Sequence, residues 1–207
     1  SSACGSEFDS FADCLPDVDN GEGTASFGFG DSGDSGDAFI SDSHSHRPTV
    51  TITTLELKLQ SEANDSEQRV RWTDGGGVDQ SIMLDSGTAY TLSIQAFDEN
   101  EDPVKDVTLD IIERGTTYQL LFVGNAIEAG LVSYTYGDED DNGLPIGIMG
   151  SLEALTAGSG VLTLGVFHIP SDKAEDLAER AASDGLEHFP FFDETTLPVI
   201  DFNVAVE

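Results

Sequence analysis

From Thr49 almost to the last residue the chain is written in a two-residue period, and that alternation limits its fold more than any other feature. In TVTITTLELKL (49–59) the residues Val50, Ile52, Leu55, Leu57 and Leu59 carry the apolar load, with one parity shift at Thr53-Thr54 that suggests a bulge. RVRWT (69–73), SIML (81–84) and TAYTLSIQAFD (88–98) repeat the pattern, the last placing Tyr90, Leu92, Ile94 and Ala96 on one face. VTLDII (107–112) and TYQLLFVG (117–124) read as two strands joined by a tight hairpin at Arg114-Gly115. LVSYTYG (131–137), IGIMGSLEAL (146–155), VLTLGVFHI (161–169) and LPVIDFNVAV (197–206) complete the series. Short strands about ten residues apart, separated by Gly, Asp and Ser turns, predict an all-β, Ig-like antiparallel β-sandwich of about eight or nine strands.

One stretch departs from the period of two. Asp172 with Glu175 forms a capping pair, and Ala174, Leu177, Ala178, Ala181 and Ala182 make a narrow apolar stripe that Gly185 ends. This predicts a short surface helix within an insertion near 171–192, in a sandwich domain spanning 49–207.

Residues 1–48 are different in kind: an acidic Gly/Ser/Asp-rich tail, with GDSGDSGD (30–37) as low-complexity spacer. The letters GDSG also spell a serine-protease neighbourhood, but no His-bearing partner motif precedes them and no packed surroundings are available. Phenylalanines are unexpected in a solvated linker. Phe27, Phe29 and Phe39 are candidates for an extended segment docking on a sheet edge. His44 and His46 share one side of an extended chain, the spacing of a transition-metal pair and equally of two solvated imidazoles.

Charge excludes several partners. With 40 acidic residues against 8 basic ones, a net of -32, the chain repels nucleic-acid phosphates and anionic lipid surfaces. The acid is spread from end to end, which fits solubility in a saline habitat; dedicated cation binding at a few loops is the other reading. Ser2-Ala3-Cys4 resembles the end of a lipobox, so Cys4 is a candidate lipidation site and the chain is expected to be exported. Cys4 and Cys14 can instead pair as a disulfide in an oxidising compartment. No apolar run reaches the roughly 18 residues of a membrane-spanning helix, so contact with a membrane is expected only through the lipid anchor.

The blocks ITTLELKL, AYTLSIQAFDENEDPVKDV, TYGDEDDNGLPIGI, GSGVLTLGVFHIP and the closing VIDFNV resemble, in order and spacing, a family of small exported lipoproteins of Bacteroidota-type bacteria. These are often labelled type 1 periplasmic binding fold proteins. The resemblance covers residues 49–169 and 197–206, and the lipidated cysteine and acidic spacer of the family are echoed by Cys4 and the tail. It implies an accessory or ligand-capture role beside a TonB-dependent outer-membrane receptor. A Glu-His-Gln-aromatic block usual in the family is replaced here by Thr116-Thr117-Tyr118-Gln119, and residues 171–192 are an insertion.

The candidate site is the acidic hairpin YTYGDEDDNGLPIGI (134–148). Asp138-x-Asp140-x-Asn142-Gly143 matches the first half of a calcium loop, alternate oxygens facing inward and glycine allowing the sharp turn. Met149 stands where the bidentate glutamate belongs, so further ligands would come from the second acidic loop, Asp98, Asn100 and Asp102. The alternative is a plain tight turn at Asn142-Gly143 with solvated acidic flanks. His168 and His188 are further metal candidates, and among so many acids an adjacent carboxylate pair carries no signal for acid–base catalysis. The expected function is therefore a non-enzymatic, exported binding or accessory module with calcium as the candidate cofactor. A filament subunit that binds copies of itself through its tail is the alternative.

Overall fold

The computed structural model describes residues 50–169, 173–177, 186 and 196–207. Cys4, Cys14, Phe27, Phe29, Phe39, His44, His46 and His188 lie outside the described residues, as does most of the helix predicted over 172–185.

Eleven strands lie among the described residues: β1 (Thr54–Ser61), β2 (Glu67–Thr73), β3 (Gly77–Val78), β4 (Ile82–Leu84), β5 (Ala89–Asp98), β6 (Lys105–Asp106), β7 (Tyr118–Val123), β8 (Val132–Tyr136), β9 (Met149–Ala154), β10 (Gly158–His168) and β11 (Thr196–Val206). They form a seven-stranded sheet in the order β3-β2-β1-β5-β9-β8, with β6 beside β5, and a four-stranded sheet in the order β4-β11-β10-β7. The predicted all-β sandwich is the observed fold. The strand number exceeds the expected eight or nine, in part because β3 and β6 are two-residue pieces too short to show alternation. Every pairing is antiparallel except β4 with β11, which is parallel.

Alternation explains the core. Leu55, Leu57 and Leu59 of β1 face Leu92, Ile94 and Ala96 of β5, and all six are essentially inaccessible to solvent. The other sheet contributes Leu120, Leu162, Leu164, Ile200 and Phe202 to the same cluster. The parity shift at Thr53-Thr54 coincides with the first residue of β1; the irregularity of register lies elsewhere, between Gly165 and Phe167 of β10. A second, smaller cluster joins Leu121, Phe167 and Ile169 to Leu177 and Leu186. Leu121 alternates with the core residues Leu120 and Phe122, so this cluster lies on the opposite face of β7. Leu177, read as part of a surface stripe, is one of its buried members.

The segment VTLDII is not a strand. It forms α1 (Thr108–Glu113), followed by a single 3-10 turn, Gly115–Thr117, so no hairpin stands at Arg114-Gly115. The run satisfies both periods: Val107, Leu109 and Ile111 alternate, but Val107 and Ile111 are also four apart. The structure buries that second pair, at 3% and 0% exposure, and leaves Leu109 67% exposed. Asp106 accepts the Thr108 N–H at 2.9 Å, and Thr108 Oγ1 accepts the Ala96 N–H at 2.9 Å, which ties the first residue of α1 to β5. Periodicity cannot separate the two states in so short a run. A second unforeseen helix, α2 (Asn125–Glu128), follows β7.

Candidate functional site

The acidic hairpin joins β8 to β9, which pair directly through Tyr134↔Leu152 and their neighbours. At its tip, Gly143 donates to the Asp140 carbonyl at 2.9 Å and Asp140 donates to the Leu144 carbonyl at 2.8 Å. Gly143 has φ +76, a conformation that favours glycine, so the tight-turn reading of Asn142-Gly143 holds as geometry.

Beyond the turn the chain crosses from one sheet to the other. The Ile146 carbonyl accepts the Leu120 N–H of β7 at 2.7 Å, and the Ile148 carbonyl accepts the Ile94 N–H of β5 at 2.9 Å. Residues 146–148 therefore stitch the two sheets together. The N–H groups of Gly147, Ile148 and Met149 are received by Asp138. One carboxylate oxygen accepts Gly147 at 2.8 Å; the other accepts Ile148 at 2.8 Å and Met149 at 3.0 Å. Buried N–H groups without acceptors are costly, so this one side chain closes the backbone accounting of the crossing. Gly147 is required here as well. At φ +94, a Cβ would meet the Leu120 carbonyl oxygen at 2.6 Å.

Asp140 is committed in the same way. Its Oδ1 accepts the N–H groups of Asn142 at 2.8 Å and Leu144 at 3.0 Å. Its Oδ2 lies 2.8 Å from the Lys173 ammonium, and both side chains are 1% exposed. Lys173 also donates to the carbonyls of Pro145 at 2.7 Å and Tyr118 at 3.3 Å. Burial pushes the Asp140 carboxyl up, but the Lys173 ammonium and the Leu144 and Asn142 N–H groups outweigh it and hold it below the ordinary aspartate value. Burial pulls Lys173 below the ordinary lysine value, with Asp140 and then Asp138 opposing.

An aromatic wall backs the clasp. Tyr134 lies against Phe122 with ring centroids 4.0 Å apart and meets Tyr136 edge-on at 4.9 Å. The Tyr136 hydroxyl donates to the Leu120 carbonyl at 3.1 Å. Burial raises both phenols well above the usual tyrosine value. His168, read as a metal candidate, packs on Tyr118 at 4.9 Å; burial and then Arg114 lower its pKa.

The six calcium candidates fall into two places. Asp98, the last residue of β5, is 8% exposed and accepts the Asn100 N–H at 3.0 Å. Asn100, Asp102 and Asn142 are exposed. Among the described residues no three acidic, imidazole or thiol groups gather at metal-binding distance. The oxygens of Asp138 and Asp140 face N–H donors and an ammonium, so this arrangement does not fit a calcium ion.

Two features escaped sequence reading. Lys173 is the one Lys or Arg among the described residues that is buried, and its partner lies far away in the chain. The other is a cleft of about 300 Å³ between α1 and the hairpin, lined by Ile112, Glu113, Thr116, Glu139, Asp141 and Ile146. Comparison with protein-family models, with curated proteins and with solved structures gave no match.

Proposed function

We propose that this chain is a non-enzymatic, exported surface module whose sandwich presents a binding face to a partner, an outer-membrane receptor being the expected one, with Cys4 as its lipid anchor. The observation that carries the reading is the use made of the acidic hairpin. Asp138 and Asp140, the residues with the strongest resemblance to a ligand site, bind backbone N–H groups and a buried lysine instead. They build a rigid platform. Beside the clasp, α1 turns Leu109 and Ile112 outward at 67% and 41% exposure, three residues apart on one helical face. Val104, 55% exposed, precedes the same helix. Exposed apolar side chains are ordinary singly, but a group of them in a chain of net charge -32 is a reasonable binding face. Fractionation of the cells that make the protein tests the anchor. The wild-type chain should follow the membranes and be cleaved when intact cells are treated with protease, and Cys4→Ala should release it. A wild-type chain found in the soluble interior would overturn the proposal.

A second reading is a filament subunit that binds copies of itself by strand addition. It is favoured by β8, which ends its sheet with β9 as its one strand partner among the described residues, together with the tail phenylalanines Phe27, Phe29 and Phe39. Large assemblies that disappear when residues 1–48 are deleted would support it; a persistent monomer would sink it.

A further inference from the structure

The contact between Lys173 and Asp140 is more than a buried ion pair in its geometry. Nζ stands 2.8 Å from Oδ2, yet outside the angles of a hydrogen bond, so this buried oxygen accepts none. The other oxygen, Oδ1, is held by two backbone N–H donors at 2.8 and 3.0 Å. The lysine nitrogen also donates to two carbonyls, those of Pro145 and Tyr118. The lysine nitrogen thus stands beside a carboxyl group whose second oxygen lies in a pair of N–H groups, the arrangement that stabilises a tetrahedral oxyanion. Both side chains are 1% exposed, which keeps bulk water from competing.

We propose that Lys173 and Asp140 condense into an intramolecular amide, an isopeptide bond between Nζ and Cγ. A small rotation of the side chains brings an N–H into line with Oδ2, 2.8 Å away, and the ammonium passes one proton to it. The freed amine then attacks Cγ, forming the C–N bond and moving an electron pair to Oδ1, where the Asn142 and Leu144 N–H groups receive the charge. Collapse of this intermediate breaks the Cγ–Oδ2 bond, and Oδ2 leaves as water with a second proton from the nitrogen. One ammonium and one carboxylate give one amide and one water, with no oxidant, reductant or cofactor. Prior placement of the two groups replaces the encounter that makes amide formation slow between free molecules. The bond ties residue 173 to the hairpin covalently and stands independently of the function proposed above.

Mass spectrometry of the intact, fully denatured 207-residue chain decides the matter. The wild-type chain should be lighter than its sequence mass by one water, and digestion should yield one branched peptide joining residues 140 and 173. Lys173→Arg keeps the positive charge but offers no amine, and should return to the sequence mass. This readout holds whether or not the variant folds well. A wild-type chain at the full sequence mass, with Lys173 and Asp140 in separate unmodified peptides, would overturn the proposal. So would the same loss of water in Lys173→Arg, because it would place the dehydration elsewhere.

Discussion

The two acidic loops have the same spelling and opposite fates. Asp98 ends β5, with Asn100 and Asp102 after it, and Asp138, Asp140 and Asn142 follow β8, each set with oxygens at every second position. In the first loop Asp98 accepts one N–H two residues on, Glu99 pairs with Arg71 on the surface, and Asp102 faces solvent. In the second, Asp138 accepts three N–H groups and Asp140 two, with a buried lysine besides. The difference lies in what stands opposite. The hairpin lies where the chain crosses between sheets, leaving N–H groups that Asp138 receives. The loop after β5 needs only to turn. Spacing of carboxylates therefore says that a loop can order oxygens inward; the surrounding backbone decides what those oxygens hold.

Substitutions can sharpen or break this contrast. Lys173→Ala should be the most damaging, because it leaves the Asp140 carboxylate buried without its cation; loss of about 3–5 kcal/mol in chemical unfolding is expected. Adding Asp140→Asn to it should recover part of the loss, since the amide keeps an acceptor at Oδ1 without the charge. Asp138→Ala comes next. It strips acceptors from three N–H groups at the crossing and should cost about 2–4 kcal/mol. Asp98→Ala removes one local hydrogen bond and should cost about 1 kcal/mol. Asp102→Ala should stay within about 0.5 kcal/mol of wild type, as exposed substitutions do. Equal losses at Asp138 and Asp102 would erase the contrast.

The smallest effect concerns the rear of the clasp. His168 packs on Tyr118, whose carbonyl holds Lys173, and its pKa is lowered by burial and by Arg114. A group whose folded value is depressed binds its proton more readily when unfolded. Its contribution is complete above the ordinary histidine value, about 6.5, and is lost as pH falls through the folded value. Thermal unfolding between pH 8 and pH 5 should show this slope, and His168→Gln should flatten it. An unchanged slope in the variant would assign it to another group.

The sandwich was legible because its strands bury one face, so Leu55, Leu57, Leu59, Leu92 and Ile94 announce themselves by parity. The run from Val107 to Ile112 was not, since its residues satisfy both periods and only the contacts of Val107, Thr108 and Ile111 decide between them. The turn at Asn142-Gly143 could be read from glycine alone. The roles of Asp138 and Asp140 could not, because their partners are backbone groups and a lysine that the fold brings close. Lys173 carries no local sign of burial: it stands in a polar, helix-like stretch, and its partners come from β7 and the hairpin.

The most direct test of the hairpin as a clasp is amide hydrogen exchange in Asp138→Ala against wild type. Exchange should be slow at Gly147, Ile148 and Met149 in the wild-type chain. It should be markedly faster at those three amides in the variant, while the core strands β1 and β5 keep their protection. Unchanged protection at Gly147, Ile148 and Met149 in the variant would contradict the clasp.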